Sequence, residues 1–211
     1  MINELLEQYN NSSLKNTSKD CENNEYMSNS EKIRVINFDN LSKKGYSKKL
    51  KLKGLSFPFK TNDALYLDIE NKKYVFIEFK NGSFSVDQKK FKEVDLPQLE
   101  LKIIGSMYIL QEITEKSFGN LRKITDYILV YNKEKNPHMF SSIDMANNIM
   151  NLGTIKNERV TRPKEGINFG LEKFKGYCFK NVHTYSKEEF EEKFVKKYEA
   201  RQKLWSNYYW K

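Results

Sequence analysis

The chain has 211 residues, 38% hydrophobic and 14% aromatic, with a formal net charge of +9 and a pI near 9.2. It is too apolar to be wholly disordered and long enough to bury a core as one domain. No apolar run approaches the roughly 20 residues that cross a bilayer, and the cation excess selects nucleic acid, an acidic protein or an anionic surface as partner class.

Residues 2–9 have the character of a short helix. Asn10 to Ser30 is rich in Asn, Ser, Lys and Glu, with Tyr26 and Met27 as its large apolar residues. Residues 1–31 are therefore expected to form a flexible or loosely docked arm, and residues 32–211 a single domain. The first 31 residues hold six acidic side chains against two lysines, which leaves the rest of the chain at +13. Cys21 and Cys178 lie far apart without metal-ligand spacing, and the N-terminus lacks the order of a signal peptide. Reduced thiols and a cytoplasmic location are the expectation.

Between Leu41 and Lys60 stand seven lysines, Lys43, Lys44, Lys48, Lys49, Lys51, Lys53 and Lys60, and no acidic residue. Such a run is commonly a solvated face; beside a catalytic motif it would serve as a phosphate-contacting surface. "TNDALYLDIENKKYVFIEFKNG" (Thr61 to Gly82) then reads as two alternating strands joined by a polar turn. Asp95 to about Thr114 reads as a helix, with Asp95 as N-cap, Pro97 in the first turn and Gln98 as capping-box partner. Leu99, Ile103, Met107, Leu110 and Thr114 form its core stripe, with Gln98 and Lys102 on another face. Thr125 to Lys133 is a short apolar strand, closed by turn residues Asn136 and Pro137. Gly176 to Ser186 suits a further strand. Ser186 and Glu189 form a capping box opening a helix with Phe190, Phe194 and Tyr198 on one face. The terminal "LWSNYYWK" can stack on bases or pack the end of that helix.

The hairpin carries the functional argument. With an even loop centred on Asn71 and Lys72, opposed residues sum to 143. Asp63 then faces Lys80, Leu65 faces Glu78, and Asp63 and Glu78 become diagonal neighbours. Side chains alternate along each strand, so Asp63, Glu78 and Lys80 share one face while Val75, Ile77 and Phe79 take the other. Asp68 points away from the trio. Two carboxylates held together cost free energy unless a cation or a proton intervenes, and a hard divalent ion such as Mg²⁺ or Mn²⁺ accepts oxygen ligands while keeping several waters. The bland reading is an ordinary cross-strand ion pair at a strand end.

These residues resemble the PD-(D/E)XK nuclease superfamily. Asp63 in "TNDALYL" matches its aspartate, and Glu78 and Lys80 in "VFIEFKNG" match its acid-x-lysine element; the matching stretch covers about residues 51–133. The resemblance implies an α/β (α+β) restriction-endonuclease-like fold, a central mixed sheet flanked by helices, with a C-terminal helical extension. It implies Asp63 and Glu78 as ligands of Mg²⁺ or Mn²⁺, Lys80 assisting the attacking water, and Gln98 or Lys102 as an accessory polar residue. Asn62 stands where the motif has proline. An additional N-terminal glutamate would be Glu31, Glu4 or Glu7. "IEFKNG", "LELKIIGSMYIL" and "YILVYNK" are also similar to small proteins of low-GC bacteria and their mobile elements, which implies a role in genome conflict or nucleic-acid processing.

His138 and His183 lack a partner at ligand or triad spacing, the cysteines lack a paired histidine, and no P-loop or dinucleotide fingerprint is present. Three expectations follow: a metal-dependent nuclease acting on DNA before RNA; an inactive nuclease-fold module that binds nucleic acid or a protein; and an immunity or inhibitor protein, alone or as a homodimer.

Overall fold

The computed structural model describes residues 4–49, 59–84, 86–87, 92–93, 96–136 and 167–201. The elements are α1 (Glu4–Gln8), β1 (Ser12–Ser13), α2 (Leu14–Thr17), β2 (Lys19–Asp20), β3 (Glu25–Tyr26), β4 (Arg34–Asn37) and α3 (Phe38–Asn40). A π-helical stretch, Leu41–Tyr46, leads into α4 (Ser47–Lys49); then come β5 (Ala64–Asp68), β6 (Lys73–Lys80), β7 (Val86–Asp87), β8 (Lys92–Glu93), α5 (Leu96–Thr114), α6 (Phe118–Ile124) and β9 (Thr125–Tyr131). A 3-10 turn, Leu171–Phe174, precedes β10 (Asn181–Ser186) and α7 (Lys187–Phe190), which continues through the π-helical Glu191–Val195 and stays helical to residue 201.

Six strands form one mixed sheet in the order β1-β4-β5-β6-β9-β10, antiparallel from β1 to β6 and parallel across β6, β9 and β10. The parallel step from β6 to β9 needs a long crossover, and α5 lies within it. Alternation divides the strands between two apolar clusters. Leu65, Leu67, Phe76, Tyr127 and Leu129 pack with Leu99, Ile103, Met107 and Leu110 of α5. Ala64, Tyr66, Val75, Ile77, Ile128 and Val130 pack with Phe190, Phe194, Val195 and Tyr198. The chain is thus mixed α/β, a six-stranded mixed sheet flanked by helices. The core stripe of α5 is as the sequence periodicity requires, with Leu99, Ile103, Met107 and Leu110 each at most 4% exposed. The Ser186 and Glu189 capping box forms, each residue's side chain accepting from the other's backbone N–H.

Two expectations change against the structure. Of the flexible and the loosely docked alternatives for the N-terminal arm, residues 4–31 follow the docked one: Leu6 and Leu14 are fully buried, and Met27 nearly so. Much of the attachment is polar. Asn81 donates its amide to Asp20 and Glu25, Ser28 Oγ donates to Glu191, and Ser30 Oγ donates to Glu199. A composition poor in apolar residues does not register such bonds.

The second correction is the hairpin register. Ala64 pairs with Ile77 and Leu65 with Phe76, a shift of two residues from the expected pairing, with the turn centred on Glu70 and Asn71. The cause is local: Asp68 accepts from the backbone and side-chain amides of Asn71 at 3.1 and 2.8 Å, and Lys72 closes the turn at φ +53°. Because the shift is even, every side chain keeps its expected face.

Candidate active site

The observed register brings Asp63, one residue ahead of β5, level with Glu78 in β6. The chain there still follows the sheet, since Phe38 donates its N–H to the Asp63 carbonyl at 3.0 Å. Phe79 donates its backbone N–H to Asp63 Oδ2 at 2.8 Å, which fixes that carboxylate beside Glu78. Both residues project toward α5, and from α5 comes Lys102. Its ammonium lies 2.5 Å from Glu78 Oε1 and 3.4 Å from Asp63 Oδ1. The Glu78 side chain is 4% exposed, those of Asp63 and Lys102 about a quarter. Two acids and one cation therefore meet at the end of β6, next to the C-terminal edge of the parallel strands, where α/β sheets commonly place ligands.

Burial, then the charge of Asp63, pushes the Glu78 carboxyl up to about 8 against the opposing pull of Lys102. Burial likewise raises Asp63, with Lys102 and the Phe79 N–H working against it. For Lys102 burial disfavours the ammonium, yet Glu78 and Asp63 together outweigh that and hold its pKa above the ordinary lysine value. The acids titrate as a coupled pair.

The site is not saturated with hydrogen bonds. Glu78 Oε2, both polar atoms of the Asn62 side chain and the Tyr127 hydroxyl are buried and make no hydrogen bond. Buried polar atoms are normally paired, and leaving one unmade costs about 1–3 kcal/mol. Tyr127 belongs to the same electrostatic neighbourhood, since burial, then Glu78 and Asp63, drive its pKa well above the tyrosine value. Asn62 is fully buried and its backbone N–H donates to Ser106 Oγ of α5 at 2.8 Å. This bond, together with the close approach of the Lys60 carbonyl to Gly105, straps the segment that carries Asp63 across the helix that carries Lys102.

Of the residues expected from sequence, Asp63, Glu78 and Lys102 come together. Lys80 shares their sheet face, and its ammonium lies 5.7 Å from the centre of the Phe84 ring. Gln98, one turn before Lys102, accepts from the Lys60 ammonium. Lys43 pairs with Asp39 at 2.5 Å, and Lys44 and Lys48 are exposed on the helical run after β4. Lys51 and Lys53, the side chain of Lys49, Asp95, His138 and the "LWSNYYWK" tail lie outside the described residues. The N-terminal glutamates do not join the site: Glu31 is exposed and paired with Lys15, and Glu4 and Glu7 are exposed on α1.

Sequence reasoning missed Asp39, Asn62 and Tyr127. Asp39 accepts from Thr61 Oγ1 at 2.6 Å, and its charge contributes to raising Asp63. The signal for Asp39 was present in "NFDN", where Asn37 caps the helical turn by accepting from the Asn40 N–H at 2.9 Å. Tyr127 was visible as a polar-tipped residue on the site-facing parity of an apolar strand. Among the described residues no group of three or more His, Cys, Asp and Glu side chains is gathered as a metal cage. Comparison of the chain with protein-family models, curated proteins and solved structures found no match.

Proposed function

We propose that this protein is a metal-dependent nuclease of restriction-endonuclease-like fold, related to the PD-(D/E)XK superfamily, that hydrolyses phosphodiester bonds, in DNA before RNA. The observation that carries the reading is the pair Asp63 and Glu78, level across neighbouring strands on the α5 side of the sheet, with Glu78 Oε2 buried and unpartnered.

A divalent ion fits this donor set. Two carboxylates satisfy the oxygen preference of Mg²⁺ or Mn²⁺, and a site with few protein ligands suits an ion that keeps its waters. Asp63 and Glu78 would hold it, and the orphaned Oε2 would gain the partner it lacks. When bound, such an ion lowers the pKa of water and neutralises charge building on a phosphate.

The chain's own groups supply the rest. The Phe79 N–H fixes the Asp63 carboxylate, and the Ser106 bond to Asn62 holds that strand start against α5. Lys80, on the face of Glu78, offers an ammonium for charge developing on the scissile phosphate. Lys44, Lys48 and Lys60 are exposed cations able to contact the phosphate backbone. The resemblance of the motif stretches to proteins of mobile elements is what supports a genome-conflict or mobile-element role.

One observation favours a second reading. The Lys102 ammonium already occupies the space between the two acids, as in a nuclease fold that only binds nucleic acid or a protein partner. The deciding experiment is incubation of plasmid DNA and of RNA with the purified protein in Mn²⁺. The nuclease reading expects cleavage that EDTA stops and that Glu78→Ala and Lys80→Ala abolish in folded protein. Intact substrates in Mg²⁺ and Mn²⁺, with salt-sensitive binding that survives Glu78→Ala, would select the binding module.

A further inference from the structure

We infer that Lys102 is an internal counter-ion seated in the position of the divalent cation, so that metal binds only by displacing its ammonium. This rests on the reading of Asp63 and Glu78 as metal ligands and adds a regulatory step to that site.

The ammonium stands between the two acids. Lys102 Nζ touches Glu78 Oε1 at 2.5 Å and Asp63 Oδ1 at 3.4 Å. A cation held by both acids, at either oxygen of Glu78, would have to share Asp63 Oδ1 with that ammonium. Asp63 Oδ2 is taken by the Phe79 N–H, so Oδ1 is the oxygen left for a cation. An ion coordinated at about 2 Å competes with that ammonium for the lone pairs of this oxygen. The two cations would also repel at a separation where buried charges are poorly screened.

Lys102 is held by charge and carried on a flexible stem. Its α-carbon is fixed in α5, between the turn of Gln98 and the Ser106 contact, while four methylenes let the ammonium leave without moving the helix. About a quarter of the side chain is solvent-exposed, so the way out leads to the surface. Gln98 and exposed Lys60 lie at that side, one helical turn away. An ammonium released there would lie near exposed Lys60.

The test uses the full chain, stripped with chelator, and Mn²⁺ alone as probe, with free ion followed by electron paramagnetic resonance. K102M, which keeps the stem and deletes the charge, is expected to bind Mn²⁺ at least tenfold more tightly than wild type. K102R, which keeps a cation, should stay near the wild-type affinity. In chelator K102M should melt below wild type and regain more stability on adding Mn²⁺. If K102M does not fold, K102Q replaces it. A measurement on the unmodified protein stands beside these: the Lys102 ζ-ammonium should exchange slowly in chelator, observed by ¹⁵N magnetic resonance, and rapidly once Mg²⁺ is added.

Equal or weaker Mn²⁺ binding by a folded K102M or K102Q overturns the inference and leaves the metal site standing. So does an ammonium whose exchange is unchanged by saturating Mg²⁺. Absence of Mn²⁺ binding in wild type and variants alike overturns the metal site itself, and this inference with it.

Discussion

Glu78→Gln tests the electrostatics of the site through stability. In the folded chain burial, then the charge of Asp63, pushes the Glu78 carboxyl up to about 8, from 4.5 for an unperturbed glutamate. Between those values the folded state holds a proton that the unfolded state has already released. The unfolded state binds fewer protons, so stability falls as pH rises through this window. A full proton of difference gives a slope of about 1.4 kcal/mol per pH unit, or roughly 3–6 °C in melting temperature per pH unit for a chain of this size. Asp63, also raised, adds in the same direction. Lys102, raised above its ordinary value, contributes a stability that is constant here and lost only in the alkaline range. Asp20, lowered to about 2 through bonds from Asn23 and then Asn81, acts only in acid. Thermal melts in EDTA from pH 5 to 8 should thus show wild type losing stability steadily and Glu78→Gln giving a much flatter profile. Parallel profiles, or a wild type that gains stability across the window, would refute the reasoning.

Other predictions follow from the same contacts. Gly105→Ala places a methyl against the Lys60 carbonyl; overpacking of this kind costs about 1–3 kcal/mol, and because the strap positions Asp63 it should also lower Mn²⁺ affinity, checked by melts and metal titration. Asn81→Ala removes the amide that Asp20 and Glu25 share and should cost about 1–3 kcal/mol, with residues 18–31 becoming the first site of limited proteolysis. Tyr198→Phe deletes the 3.0 Å bond from Tyr198 Oη to buried Asp68 and should lower urea stability by about 1.5–3 kcal/mol without changing metal affinity, since it lies on the opposite sheet face.

What the sequence disclosed depends on how local the cause is. Periodicity located α5 and its buried stripe, and the spacing of Ser186 and Glu189 located the last helix, because neighbours along the chain decide both. Parity placed Asp63, Glu78 and Lys80 on one face, and that survived a register error of two residues because faces repeat every second residue. The register itself turned on Asp68 capturing Asn71. Docking of the N-terminal segment depends on Asn81, Glu191 and Glu199, residues remote in the chain and silent in composition. For the cation at the site, Lys80 stands two residues from Glu78 in sequence, whereas Lys102 reaches it by the packing of α5 across the sheet. Asp39 arrives through Thr61. Contacts between elements are set by packing, and the strand pattern carries no record of them.

The central claim is that Asp63 and Glu78 together grip a divalent cation. Crystals soaked in Mn²⁺ and measured at the manganese absorption edge test it most directly. The account predicts an anomalous peak about 2 Å from a carboxylate oxygen of each residue, with the Lys102 ammonium withdrawn from both. A peak elsewhere, or none while Lys102 still bridges the two acids at saturating Mn²⁺, would contradict it.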